Sequence, residues 1–256
     1  MPKLIDTHAH LEEIDNLAQA LEKAKQAGVE AVIGVGQGHQ SNKQLLDICQ
    51  KHKDILKIYP AMGVHPGCVE NCNLDDAFNF IEENIQKIVA IGEIGLDYWY
   101  KKARKEGPGR DLQNLTFQRQ LDLACRYDKP VIIHSRGSWQ ACLEILSRYD
   151  IKKANFHWYS GPQDILEQLL ERNYFISATP AAEYSPEHKN AIAKAPLDKI
   201  FLETDSPVRY KPVQGEYNAQ PQDVLRALRA VAAIKNISED KVAESANNNA
   251  IDFFGL

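Results

Sequence analysis

His8 and His10 are separated by one residue in Asp6-Thr7-His8-Ala9-His10. Alternate side chains of a strand point the same way, so both imidazoles can reach one cation. A neutral imidazole suits Zn, Mn, Fe or Ni, and a carboxylate supplies the anionic share of such a site. Glu93 is the candidate carboxylate, because it sits in the apolar run Ile91-Gly92-Glu93-Ile94-Gly95, where an unpaired charge would be expensive to bury. A cation is its natural partner, and an ion pair with Arg or Lys is the less favoured alternative. Its two oxygens can bridge two ions. His134 and His157 close later apolar runs and extend the same donor set. Asp205, in Glu203-Thr204-Asp205-Ser206-Pro207, can ligate metal and take the proton of a water, which makes Asp205 and Glu93 the candidate catalytic carboxylates. Glu203, two residues earlier, and Asp6, in the same relation to His8, are placed to hold a ligand histidine from behind. Arg136 offers a planar fork that suits a phosphate or carboxylate, or equally a salt bridge at the rim.

These residues need elements that converge. Apolar runs recur at 3–10, 31–36, 57–65, 88–96, 130–135, 154–157, 174–179 and 199–205. They lack strict alternation, as expected of strands buried on both faces. Helical spacing fills the intervals: Leu17, Ala20, Leu21 and Ala24 before Gly28; Phe78, Ile81 and Ile85; a run opening after Asn114; others opening at Ser138 and Pro162; and two near the end of the chain. Eight strands alternating with helices over 256 residues fit a single-domain (β/α)8 TIM barrel spanning 1–256. A doubly wound open sheet would carry a Gly-rich phosphate turn after its first strand, and here that position reads Asp6-Thr7-His8. In a barrel, His8, His10, His65, Glu93, His134, His157 and Asp205 would meet at the C-terminal face.

The composition is that of an ordinary globular protein: 44% hydrophobic, 25% charged and a formal net charge of −5. This excludes a disordered tail or a rod, and the acidic balance argues against broad wrapping of a nucleic acid. Five cysteines without metal-type pairing read as reduced thiols, and the spacing of Cys68 and Cys72 near His65 is poor support for a separate zinc site. No apolar run approaches the length of a membrane span, and the N-terminus does not read as a signal peptide, so a cytoplasmic location is expected. The segment after Tyr98, with Trp99, Tyr100, Lys101, Lys102, Arg104, Lys105 and Arg110, reads as a basic patch with aromatics able to meet phosphates and bases, or as a solvated loop.

Six ordered pieces resemble the TatD family of metal-dependent deoxyribonucleases, a branch of the amidohydrolase-like barrels. They are Asp6-Thr7-His8-Ala9-His10, Gly63-Val64-His65-Pro66, Gly92-Glu93-Ile94-Gly95-Leu96-Asp97-Tyr98, Pro130 to Arg136, His157-Trp158-Tyr159-Ser160-Gly161 and Glu203 to Pro207. The resemblance implies one metal on His8, His10, Glu93 and Asp205, and a second on Glu93, His134 and His157. It also implies that His65 and Arg136 face a substrate phosphate. Two departures concern the substrate: Gln214 stands where the family carries an Arg before Gly215 and Asn218, and Trp158-Tyr159 replaces a common Cys-Phe.

The expected activity is phosphodiester hydrolysis at single-stranded DNA ends, using two divalent ions (Mg²⁺, Mn²⁺ or Zn²⁺), with no membrane and no obligate protein partner. The alternative keeps the metals and changes the bond, as in a deacylase acting on D-aminoacyl-tRNA. A barrel that merely stores or senses metal is disfavoured, because every ligand and a candidate base are present.

Overall fold

The computed structural model describes residues 3–213 and 215–256, so Gln214 lies outside the described residues. Eight strands form one parallel sheet in sequence order: β1 Leu4–Ala9, β2 Val29–Val35, β3 Lys57–Met62, β4 Ala90–Gly95, β5 Val131–His134, β6 Ala154–Phe156, β7 Phe175–Ala178 and β8 Ile200–Leu202. Between them run α1 Leu17–Gln26, α2 His39–Lys51, α3 Leu74–Glu83, α4 Pro108–Tyr127, α5 Trp139–Leu146, α6 Gln163–Glu171 and α7 Pro186–Lys194, with α8 Val224–Lys235 and α9 Glu239–Phe254 after β8. This is the expected (β/α)8 barrel. A short antiparallel pair, β9 Arg209–Tyr210 and β10 Tyr217–Asn218, follows β8 and was not foreseen. Nor was α7 marked by its sequence. Among the described residues, no helix is long and apolar enough to cross a membrane.

The helices bury the faces that their spacing marks, such as Ala20, Leu21 and Ala24 of α1 and Ile165, Leu166 and Leu169 of α6. One large core lies between sheet and helices. Strand side chains including Ile5, Ile33, Ala61, Ile132 and Phe201 pack instead with Phe253 and Phe254 of α9. Phe201 stacks on Phe175 at 4.7 Å and meets Phe253 edge-on at 5.1 Å. α4 starts at Pro108, six residues before Asn114, because Gly107 and Pro108 supply a helix start inside the basic segment.

The barrel closes between β1 and the chain beyond β8, where the ladder thins to one bridge, Ala9 to Ser206. The Asp205 N–H donates to His8 O at 2.9 Å and the His10 N–H to Ser206 O at 2.8 Å. Asp6 reinforces this seam from 198 residues away. Its Oδ1 accepts the Thr204 N–H at 2.9 Å and its Oδ2 accepts the Thr204 hydroxyl at 2.6 Å. Oδ1 also takes the backbone N–H of His8 at 3.3 Å. Asp6 thus grips the His8 backbone and not its ring. Burial pushes this carboxyl well above the ordinary aspartate range, against the pull of its bonds to Thr204. Replacing Thr204 with Val removes the hydroxyl that bonds Asp6 Oδ2 and leaves that buried oxygen without its partner. It should lower unfolding stability by about 1.5–3 kcal/mol, read from the urea midpoint, and an unchanged midpoint would show that the seam holds without it.

Candidate functional site

All the marked residues lie at the C-terminal end of the barrel, yet few occupy a strand terminus. His134 closes β5, His10 and His157 follow β1 and β6 by one residue, and His65 and Asp205 lie three residues past β3 and β8. Glu93 is inside β4, where the β4–β5 register is irregular between Ile91 and Ile94. Such an irregularity re-aims a side chain. Gly95 lets the strands close here: its φ is +133°, and a Cβ would lie 2.1 Å from His134 O. Asp205 is left-handed, with φ 50°, so the chain leaves the β8 ladder and swings the carboxylate towards β1. Trp158, at φ 43°, turns the chain just after His157. A bulky residue in that region is strained and needs support. Its N–H supplies some, donating to Glu203 Oε1 at 2.9 Å and to Ser177 Oγ at 3.1 Å.

The first donor group spans the seam. His8 Nε2 is 3.3 Å from His10 Nε2, 3.5 Å from Glu93 Oε2 and 3.6 Å from Asp205 Oδ1. His10 Nε2 is 3.4 Å from Glu93 Oε2 and 3.3 Å from Asp205 Oδ1. A cation about 2.1 Å from four tetrahedral donors sets those donors ~3.4 Å apart. The spacing therefore fits a metal ion. The second group surrounds the other oxygen of Glu93, with His134 Nδ1 at 2.6 Å, His157 Nε2 at 2.8 Å and His65 Nε2 at 3.6 Å from Oε1.

Hydrogen bonds behind the rings fix their tautomers. His10 Nδ1 faces Val35 O at 2.9 Å, a pure acceptor, so Nδ1 carries the proton and Nε2 presents a lone pair. His134 Nε2 faces Asp97 Oδ2 at 3.1 Å, and His157 Nδ1 faces Glu203 Oε1 at 3.4 Å. Both donate outward and leave a bare nitrogen towards Glu93. Bare nitrogens and carboxylate oxygens at these distances repel unless a cation or a proton lies between them. Burial works against charged His10, His134 and His157, yet nearby carboxylates outweigh it and raise all three above the ordinary histidine range: Asp205 and Glu93 for His10, Glu93 and Asp97 for His134, and Glu93 and Glu203 for His157. Burial likewise opposes ionised Glu93, and the surrounding histidines, His157 first, pull it well below the ordinary glutamate range. The field that holds those protons is one that suits metal. Among the described residues, the groups with metal-competent atoms in mutual reach draw on His8, His10, His65, Glu93, His134, His157 and Glu203, and none includes a cysteine. His8 Nδ1 is buried without a partner and its ring stacks on His157 at 4.3 Å.

His65 differs. Its Nδ1 accepts the Gly67 N–H at 3.0 Å, so Nε2 carries the proton towards the cleft. Burial drives it down to about 3, a neutral donor at working pH. Arg136 is more than half exposed and gives Nε and one terminal NH₂ to Asp97 Oδ2, at 3.1 and 2.7 Å. Asp97 went unassigned in the sequence, although it stands in the Gly92–Tyr98 piece. Its carboxylate ties His134 to Arg136 and accepts the N–H groups of Trp99 and Tyr100 at 2.9 and 3.0 Å. Burial raises its pKa, but His134 and Arg136 outweigh that and hold it well below the ordinary aspartate range. Buried helix amides brace these loops: Gln120 brackets Val64, Gln113 spans Pro66 and Asp97, and Asn42 donates to Gly63 O. The basic segment is partly self-consumed. Arg104 donates to Trp99 O, Arg110 to the carbonyls of Ala103 and Arg104, and Lys102 pairs with Glu70. A cleft of about 810 Å³ opens above the cluster, with His10, His65, Glu93, His134, His157 and Asp205 at its floor.

A buried imidazole–carboxylate cluster at the C-terminal face of such a barrel defines the class, a metal-dependent hydrolase. The chain belongs to the TatD related DNase family, which it matches over residues 5–255. It is 29% identical to Deoxyribonuclease TATDN3 of Homo sapiens, over 98% of this chain and 94% of that one. It is also 29% identical to the uncharacterized metal-dependent hydrolase YjjV of Escherichia coli, over 99% and 98% of the two chains. The crystal structure of YjjV superposes with a TM-score of 0.89, at 28% identity over 99% of this chain and 98% of that one.

Two outcomes test the centre. Protein stripped by a chelator should gain about 2.7 kcal/mol of stability when Zn²⁺ or Mn²⁺ is added at ~100 times its Kd, seen as a rise in Tm. Glu93→Gln should lose most of that gain, and an equal gain would reject Glu93 as a ligand. Asp97→Asn keeps an acceptor for the loop but removes the charge shared by His134 and Arg136. It should lower metal affinity or kcat/KM roughly 10- to 100-fold, and wild-type values would reduce Asp97 to a loop residue.

Proposed function

We propose that the protein hydrolyses phosphodiester bonds of DNA, from single-stranded ends, with two divalent cations bridged by Glu93. The division of the Glu93 oxygens between two donor groups carries this reading. His8, His10, Glu93 and Asp205 would hold one ion; Glu93, His134 and His157 would hold the other. When bound, the cations would offset charge on the phosphate and favour ionisation of a water. Asp205, lining the cleft, takes the proton of the attacking water as its oxygen bonds to phosphorus. The bond from phosphorus to the departing nucleoside oxygen breaks, and that oxygen is protonated from solvent. His65 donates its Nε2–H to a phosphate oxygen. Arg136, with one edge held by Asp97, keeps its second terminal NH₂ for the same group. Glu203 holds His157 in its ligand tautomer. A cleft of about 810 Å³ is the size of a small-ligand site and suits a strand end better than a duplex.

Purified protein, stripped of metal and then given Mg²⁺, Mn²⁺ or Zn²⁺, should shorten a labelled single-stranded DNA. Asp205→Asn should lower that rate by about 10²- to 10⁴-fold without unfolding the protein. Retained activity would reject Asp205 as the base. Loaded protein that shortens no strand with any cation, yet releases amino acid from D-aminoacyl-tRNA, would reassign the same site to ester cleavage on tRNA.

A further inference from the structure

The chain has three tryptophans, and Trp99, Trp139 and Trp158 all line the cleft. Two of them are wall. Trp158 packs on Tyr210 at 5.3 Å and Trp139 meets Tyr159 at 6.4 Å. Trp99 is different, because it is 62% exposed at the mouth, an expensive place for so large an apolar ring. It is nonetheless held from several sides. Its backbone N–H donates to Asp97 Oδ1 at 2.9 Å and its backbone carbonyl accepts from Arg104 Nε at 3.0 Å. Its indole lies across Gly137, where a Cβ would come within 2.4 Å of Trp99 Cδ1, and the Arg136 guanidinium is 5.9 Å from the ring. Gly137 has φ +70°, so a side chain is excluded there on two counts. An indole pinned on one side and open on the other is a flat surface beside the arginine that faces the cleft.

We propose that Trp99 is a stacking platform for an unpaired nucleobase, positioning the nucleotide whose phosphate Arg136 receives. This rests on the phosphodiesterase reading and assigns the recognition of the base, which the metal cluster cannot supply. Every base has a π-face, so the platform selects unpaired strands over duplex without selecting sequence. Arg136, bonded through Asp97 to the same loop, keeps platform and phosphate contact in one frame.

The test compares single-stranded oligonucleotides that carry either bases or abasic residues at the terminal two positions. The wild-type enzyme should show a lower KM for the base-bearing strand. Trp99→Ala should shrink that preference by about 5- to 150-fold, while Trp99→Phe, which keeps a π-face, should restore most of it. An undiminished preference in Trp99→Ala overturns the proposal. A second readout needs no turnover: with cations bound, dAMP should quench tryptophan fluorescence and deoxyribose 5-phosphate should not. Trp99→Ala should lose most of that quenching, and equal quenching by the two ligands overturns the platform. If the wild-type protein cuts no DNA, the phosphodiesterase reading fails by itself, and the dAMP titration still decides Trp99.

Discussion

The structure depends on burying the carboxylate of Glu93 inside a strand. An ion taken out of water costs several kcal/mol even after relaxation, unless compensating charge surrounds it. Here the compensation comes from His8, His10, His65, His134 and His157, drawn from four strands or their exits, each with a ring nitrogen within 3.6 Å of a Glu93 oxygen. None of the five is a permanent cation. The balance must come from protons or from metal, and the outward hydrogen bonds of His10, His134 and His157 favour metal. These contacts exist only if β4 bends at its irregular register and β5 approaches Gly95 closely. The backbone of β4 therefore sets where that charge is held.

Asp97 extends that constraint to the surface. From Glu93 the contacts run through His134 to Asp97, then to Arg136 and the mouth of the cleft. One carboxylate thus fixes the tautomer of the buried His134 ring and the orientation of an exposed guanidinium. His134 and both Arg136 bonds fall on Oδ2, three in all, which leaves Asp97 Oδ1 for the N–H groups of Trp99 and Tyr100 and ties the loop to His134. His188 makes the contrast. It too is fully buried, but its Nδ1 meets Tyr159 O at 2.7 Å and its Nε2 accepts from Thr179 N at 3.1 Å, with burial pushing it down to about 4. Both its nitrogens are spent, and it serves as a packing residue.

What the sequence made legible was residue type and approximate place: imidazoles and carboxylates at the ends of buried apolar runs, in the alternation that builds a barrel. That pattern is local, and the (β/α)8 fold follows from it. What it hid depends on contacts between distant segments. The irregular registers of the β1–β2 and β4–β5 pairs cannot be seen in an apolar run without strict alternation, so the run at 88–96 did not show how Glu93, inside β4, is aimed. The run at 199–205 read as one strand, but the chain leaves the ladder after Leu202 because Asp205 bonds across to His8. Asp6 read as a support for the His8 ring, and its partner proved to be Thr204. Asp97 was concealed by its neighbours, since a lone acid before a basic segment looks solvated until Arg136 and His134 arrive from β5. Gln113, Gln120 and Asn42 likewise resemble the polar face of a helix, and only tertiary packing turns them to the loops they brace.

The seam gives the cluster a structural consequence beyond chemistry. Seven strand pairs of the barrel form ladders, those of β1–β2 and β4–β5 with irregular register, whereas β1 and the chain after β8 share one bridge and a few hydrogen bonds. His8 and His10 stand on one side of that seam and Asp205 on the other, with Glu93 facing both. A cation on these four donors would join β1, β4 and the end of the β8 segment at the point where the backbone ladder is thinnest. Asp6 and Thr204 close the same seam beneath it without metal. Asp6 bonds Thr204 on one side of the seam and the His8 N–H on the other, so this closure is made by groups other than the four donors. The four donors stand at near-tetrahedral spacing across that closure, and donors held by such bonds would lose less chain entropy on binding a cation than free ones. Preorganisation of the site and closure of the barrel are, at this seam, one problem solved by the same few residues.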